Sequence, residues 1–173
     1  MLQLSSAFQS KDVMSLRTGT AVAQVGLPIV NPDNLKIEGF YCRDNVSGDN
    51  LILLEQDIRE LLPQGFVVDD HDVLARPEDL VRLEKILKLD FQLIGKPVDI
   101  QEGDRLGKVA DYATDISTMY IQKLYVARSV FKSLTNGQLS VDRSNIIEIT
   151  PRHIVIQDIL QPTPAAASAS IAV

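Results

Sequence analysis

The sequence predicts a mostly β protein made of two small, similar units that follow one another along the chain. Three observations predict this class: short aliphatic runs separated by turn residues, few aromatic residues, and an internal repeat. Aromatic residues make up 5% of the 173 residues and tryptophan is absent. The core must therefore consist mainly of Leu, Ile and Val, of which Ile and Val favour strands. We expect two small β-barrels in tandem, joined by one helix and followed by a disordered tail.

The first unit is predicted to span residues 13–74, after a polar lead-in at residues 1–12 that adds an edge strand. Strands are expected where aliphatic residues run between turn signals. A first strand at residues 20–25 is expected to end at Gly26 and Pro28. The remaining predictions are a turn at 31–34, a strand at 36–42, a hairpin loop at 45–50, a buried strand at 51–54, a single turn at 56–59 and a strand at 65–69.

The clearest helical pattern lies between the units, at residues 75–90. Pro77 suits the first helical position, and acidic residues follow it while Lys85 and Lys88 lie near the other end, as the helix dipole favours. One apolar stripe at helical spacing consists of Leu80, Leu83, Ile86 and Leu87. The stripe predicts a connecting helix that packs on a barrel, and the alternative is a helix that binds a partner.

The second unit is predicted at residues 91–158, because its segments repeat those of the first in the same order. Residues 121–126 match 37–42, residues 145–149 match 57–61, and residues 153–158 match 65–70. Gly103 and Gly107 are expected to hold a hairpin turn near its start, with Gly103 at positive φ. Residues 161–173 are of low complexity, and we expect them to form a disordered tail.

Charge and composition argue against several classes of function, although a local basic patch could still contact RNA. The net charge is −6, of which residues 1–88 carry −5, and a negative chain repels the phosphate backbones of nucleic acids. The single cysteine, Cys42, excludes an intramolecular disulfide and a zinc site with several thiolates. The start of the chain lacks the features of a secretory signal, and no stretch is apolar enough to predict a membrane helix. We therefore expect a cytoplasmic protein.

The candidate sites in the sequence each have a simpler structural interpretation. The run from Asp69 to Asp72 is rich in metal ligands, but successive strand residues point to opposite faces, so a solvated loop is expected. Residues 44–55 resemble a calcium loop without its required ligands, which favours a hairpin. His153 has no partner placed by the sequence. A modest RNA-binding face is the alternative interpretation of one basic and aromatic group: Tyr120, Lys123, Tyr125, Arg128 and Lys132.

The second unit also carries a family resemblance. Leu93-Ile94-Gly95, Val98, Gly103, Leu106-Gly107, Val109 and Asp111, with residues 137–146 and 154–156, resemble a PRC-barrel domain. That family includes the cytoplasmic part of the photosynthetic reaction-centre H subunit and the C-terminal domain of the ribosome maturation factor RimM. The resemblance covers 91–158 well and 13–74 more loosely, and it implies tandem copies of a small barrel used as a docking surface.

No set of residues with catalytic spacing is found, so the sequence predicts no catalytic, cofactor or metal site and a protein that is not an enzyme. We expect a non-enzymatic protein-interaction module, with partner and binding residues unknown. The alternative is a ribosome-associated, RimM-like maturation factor that contacts a ribosomal protein or rRNA. Barrel edges left open at the helix or at residues 1–12 also favour pairing with a second copy of the chain, as a homodimer.

Overall fold

The computed structural model describes residues 1–101, 103–128 and 138–159, which form thirteen strands, one α-helix and five 3-10 turns. The strands β1 to β13 are Leu2–Leu4, Asp12–Ser15, Ala21–Asn31, Lys36–Asp44, Asn50–Leu54, Glu60–Leu61, Gly65–Val68, Pro97–Ile100, Arg105–Asp115, Tyr120–Arg128, Gln138–Asp142, Ile146–Ile149 and Ile154–Ile156. The helix α1 is Glu84–Leu89, and the 3-10 turns are Ser5–Ala7, Glu55–Asp57, His71–Val73, Pro77–Asp79 and Arg143–Asn145. The predicted mostly β class is confirmed, whereas the predicted tail lies outside the described residues.

Strands β2 to β7 (the N-terminal unit) and β8 to β13 (the C-terminal unit) pair in the same pattern. In each unit the first strand runs parallel to the last, β2 to β7 and β8 to β13. The first four strands of each unit form an antiparallel series, from β2 to β5 and from β8 to β11. The three sequence matches fall on equivalent strands and on the equivalent 3-10 turns that precede β6 and β12.

The strands belong to one large mixed sheet that is not closed into barrels, so the prediction of two closed barrels is corrected. Within the described residues, no backbone ladder joins β5 to β6 or β11 to β12. A 3-10 turn lies between the two strands in each case, at Glu55–Asp57 and at Arg143–Asn145. These turns redirect the chain before a ladder can form, and β6 is only two residues long.

The first predicted strand is also longer than expected, because Gly26 and Pro28 do not end it. Strand β3 continues to Asn31, and its register against β4 shifts between Val25 and Pro28. Such a shift places the proline, which lacks an N–H, at an irregular point of the ladder. The turn after Asn31 is confirmed, with the Leu35 N–H donating to the Asn31 carbonyl at 2.8 Å.

The two units meet where β4 and β10 approach each other end to end. The Ile37 N–H donates to the Met119 carbonyl at 2.8 Å, and the Ile121 N–H donates to the Leu35 carbonyl at 2.9 Å. Leu35 and Ile37 correspond to Met119 and Ile121 in the repeat, so each of these hydrogen bonds is the equivalent of the other with the two units interchanged. The junction therefore has the local pattern of a two-fold axis.

Each unit is also covered by the segment that precedes the other unit. Strand β1 pairs with the second half of β9, and the Ser5 hydroxyl donates to Asp111 Oδ1 at 2.6 Å. The helix α1, which precedes the C-terminal unit, packs on β3 of the N-terminal unit. The predicted strand within residues 1–12 is confirmed, and its pairing occupies an edge that was expected to be open to a second copy.

The core is one continuous cluster that includes residues of both units. Its aromatic centre consists of Phe8, Phe40 and Phe66, whose ring centroids are 4.9–6.3 Å apart. Leu93 lies in the C-terminal unit at the place that corresponds to Phe8, ahead of the first strand. Most of the other side chains in the cluster are aliphatic, as the composition predicts, with Phe91 and Tyr112 as further aromatic members.

The predicted helix over residues 75–90 is largely wrong in length. Pro77–Asp79 is a 3-10 turn that begins with the proline, and Leu80, at φ −93° and ψ 66°, interrupts the helical path before the six-residue α1. All four residues of the apolar stripe are half-buried, so the stripe does face the protein. Helices in proteins are stabilised mainly by packing of their apolar face against the rest of the protein. Because the stripe is only half-buried, this packing is too limited to stabilise a longer helix. No helix in the described part of the chain has the length and apolar character that crossing a membrane requires.

Candidate functional site

A concave surface lies between the sheet and the linker, which we define as residues 76–89. It is a groove of about 610 Å³. We call it the linker groove. Its sheet wall comes from the end of β3, the start of β4, the last residue of β5 and the two residues after it: Asn31, Lys36, Glu38, Leu54, Glu55 and Gln56. Its linker wall consists of Asp79, Leu80, Val81, Arg82, Leu83 and Ile86.

Two polar pairs hold the sheet wall in place. Lys36 Nζ forms an ion pair with Glu55 Oε1, and the Asn31 side-chain amide donates to Glu38 Oε1 at 2.9 Å. The hydrogen bond that Lys36 donates to Glu55 raises the pKa of Lys36, and the negative charges of Glu55 and Glu38 add to this effect. The wall therefore presents a fixed lysine between two carboxylates, and it carries a net negative charge.

The linker wall combines apolar and charged side chains. Leu80, Leu83 and Ile86 are half-buried, whereas Val81 is 77% exposed although it lines the groove. The structure gives neither Asp79 nor Arg82 an ion-pair partner among the described residues. An exposed aliphatic side chain beside unpaired charges can contact both apolar and ionic groups of a ligand.

The corresponding surface of the C-terminal unit has different chemistry. Tyr120 and Arg143 stand where Lys36 and Glu55 stand in the N-terminal unit, and the Arg143 guanidinium lies over the Tyr120 ring at 4.7 Å. Gln122 corresponds to Glu38. The two surfaces therefore share a backbone pattern but present different side chains.

The residues of the predicted RNA-binding face are in part engaged elsewhere. Lys123 pairs with Asp142 at 3.2 Å, and Tyr120 is covered by Arg143. Tyr125 lies on β10 where Tyr41 lies on β4, and both side chains are half-buried. Burial raises the pKa of Tyr41, with a further contribution from Asp90. Lys132 lies outside the described residues, so the RNA-binding face stays a prediction.

The Asp69–Asp72 run does not converge on one point. Asp69 pairs with Arg59, which holds the pKa of that carboxyl below its usual range. Asp70 pairs with Arg17 at 2.6 Å, and His71 Nε2 lies 2.7 Å from Asp44 Oδ2. No group of three or more metal-ligating side chains occurs in residues 1–101, 103–128 and 138–159.

Asp44 shows why residues 44–55 form a hairpin. Its Oδ1 accepts the Val46 N–H at 2.7 Å, and its Oδ2 contacts His71. The Val46 N–H is the main cause of a lowered pKa at Asp44, and the His71 contact adds to it. The carboxylate thereby ties the β4–β5 turn to the segment after β7, and the predicted hairpin loop is confirmed.

His153 lies beside Asp99, whose Oδ2 is 3.7 Å from the His153 Nδ1. Asp99 is also paired with Arg105 across the turn between β8 and β9. This arrangement links β8, β9 and the start of β13. Gly103, within that turn, has the predicted positive φ, at 96°.

Comparison with models of known protein families gives no match, and comparison with curated protein sequences gives none either. The PRC-barrel resemblance thus rests on the residues themselves, and it stays a prediction. Sequence reasoning identified the apolar stripe of the linker but not the groove beneath it. The groove depends on the interruption at Leu80 and on the sheet wall that the linker faces, neither of which has a local sequence signal.

Proposed function

We propose that the chain is a non-enzymatic, cytoplasmic protein-interaction module, of the kind that the PRC-barrel resemblance implies, and that a partner binds at the linker groove. The observation that supports this most directly is the exposed Val81 in the wall of the linker groove, beside Asp79 and Arg82. Unpaired groups next to an aliphatic side chain are available for a partner.

The experiment is affinity capture from native lysate with the full chain as bait. Val81→Arg places a large charge in the groove, and Val46→Arg makes the same substitution in the β4–β5 turn, where Val46 is 92% exposed. Both sites are exposed, so both variants should fold. We expect a protein that the natural chain and Val46→Arg recover equally and that Val81→Arg loses. Failure to recover any reproducible partner, or equal recovery by Val81→Arg, would contradict the proposal.

The identity of the captured protein also tests the ribosome-associated alternative. A ribosomal protein, together with co-sedimentation of the full chain with ribosomal subunits, would favour the RimM-like function. A partner unrelated to the ribosome would favour a general interaction module. The Val81→Arg variant serves in both cases, because either partner is proposed to bind at the groove.

A further inference from the structure

We infer that the linker groove binds an extended segment of the partner in which a lysine or arginine lies beside an aliphatic residue. This inference rests on the proposed function and names the chemistry of the segment that the groove accepts. It commits to a peptide segment because a groove of about 610 Å³ has room for a few side chains and not for a folded domain.

Acidic groups lie on both walls of the groove. Glu38 and Glu55 line the sheet wall and Asp79 lines the linker wall, against the two cations Lys36 and Arg82. The charged groups that line the groove therefore sum to −1. Lys36 is paired with Glu55, so the groove charges without an ion-pair partner among the described residues are Glu38 and Asp79, one on each wall, and Arg82. These three also sum to −1.

Comparison of the two units indicates that the carboxylates of the groove are not required by the fold that the units share. Glu38 and Glu55 correspond to Gln122 and Arg143 of the C-terminal unit, so the corresponding surface of that unit lacks both carboxylates. The net charge of residues 1–88, −5, gives the same sign over a longer range. A basic segment is thus attracted to this unit before contact, and the groove carboxylates then orient it.

The groove also presents apolar surface beside these carboxylates, which favours a ligand with an aliphatic residue next to its basic residue. Leu54 on the sheet wall and Leu80, Leu83 and Ile86 on the linker wall are half-buried, so each still presents apolar area to the groove. Covering that area gains free energy in proportion to the area removed from water. A basic side chain alone would leave it uncovered.

The test uses the full chain and two capped pentapeptides, acetyl-Gly-Leu-Lys-Leu-Gly-amide and acetyl-Gly-Leu-Glu-Leu-Gly-amide, in titrations followed by amide chemical shifts in NMR. We expect the lysine peptide to bind more tightly, with shifts concentrated at residues 54–56 and 79–86. Asp79→Asn and Glu38→Gln should each weaken it by about threefold, the usual size of one exposed charge contact. Glu60→Gln, which removes an exposed charge from the same unit outside the groove, should leave its affinity unchanged.

Equal binding of the two peptides, shifts outside the groove, or an affinity that Asp79→Asn does not alter would overturn the inference. These outcomes differ from failure of the proposed function. If capture of a partner depends on Val81 but the lysine peptide shows no preference, the groove binds a partner of other chemistry. If no partner depends on Val81, the proposed function itself fails.

Discussion

Leu35 and Met119 occupy the same place in the two units and share an uncommon backbone conformation. Both have a left-handed φ, 51° and 55°, and both side chains are buried, at 3% and 4% exposure. Each carbonyl accepts a hydrogen bond from the first residues of the other unit's central strand. The backbone strain is therefore located at the junction, where it directs both carbonyls across the pseudo-two-fold axis.

The first prediction concerns this conformation. Met119→Leu should change the free energy of unfolding by less than about 1.5 kcal/mol, because the two side chains have similar volume. Met119→Val should cost more, by about 2 kcal/mol, since it removes buried volume and a β-branched residue is poorly accommodated at positive φ. Urea denaturation of both variants measures the difference. Equal loss in the two variants would show that the left-handed conformation is not maintained in solution.

The second prediction comes from one buried hydroxyl. Thr114 on β9 is fully buried, and its Oγ1 has no hydrogen-bond partner within the described part of the chain. The corresponding residue of the N-terminal unit is Val30, which is 3% exposed. Thr114→Val should stabilise the protein by about 1 kcal/mol, because it removes an unsatisfied polar group and keeps the shape. The matched reverse change, Val30→Thr, should destabilise it, and thermal unfolding of both variants would reveal opposite signs.

The third prediction separates the two glycines that the sequence predicts in one turn. Gly103 has φ 96° and open space around it, whereas a Cβ on Gly107 would lie 1.9 Å from the Ala127 carbonyl oxygen. Gly107 therefore allows β9 and β10 to approach closely and does not serve the turn. Gly103→Ala should cost about 1 kcal/mol from backbone strain. Gly107→Ala should cost about 3 kcal/mol, because the strands must separate. Equal costs in urea denaturation would contradict this assignment.

How far the sequence predicts this protein can be judged from the same elements. The repeat is visible in the sequence because equivalent core positions, such as those of Ile37 and Ile121, both require apolar residues. Each buried position restricts the residue type at that position, so the restriction can be read from the sequence alone. The path of β3 through Gly26 and Pro28 is not visible there, because a bulge depends on the partner strand. Barrel closure and the linker groove depend on how distant segments meet, so local patterns alone do not determine them.

The fourth prediction is a dependence of stability on pH. The pKa of Asp44 is lowered in the folded protein, mainly by the Val46 N–H and then by His71. A folded-state pKa below the unfolded value of about 3.8 stabilises the protein above that pH, and the stabilisation is lost as the pH falls through the folded-state pKa. Asp44→Asn should therefore destabilise the protein at pH 7 and make its unfolding less sensitive to acid below about pH 4.

The control for this measurement is Asp72→Asn, which removes an exposed carboxylate two residues after Asp70. Urea denaturation of the natural chain and both variants, repeated from pH 7 to pH 3, gives the three profiles. We expect Asp72→Asn to keep the profile of the natural chain. If the free energy of unfolding of Asp44→Asn changes with pH in parallel with that of the natural chain at all pH values, the Asp44 contacts are not the source of the pH dependence.

The last prediction tests whether equivalent positions of the repeat can exchange their chemistry. Lys36 and Glu55 form an ion pair where Tyr120 and Arg143 form a cation–π contact. Lys36→Tyr should leave Glu55 without its partner, and Glu55→Arg should place two cations side by side, so each single change is expected to destabilise. The double variant recreates the contact of the C-terminal unit and should recover about 1 kcal/mol relative to the sum of the single changes. Tyr120→Lys with Arg143→Glu is the matched exchange in the other direction. A double-mutant cycle measured by urea denaturation should give a coupling energy of the same sign in both units, because the backbone places the two side chains alike in each unit. Additive effects in both cycles would show that the two positions are not placed alike.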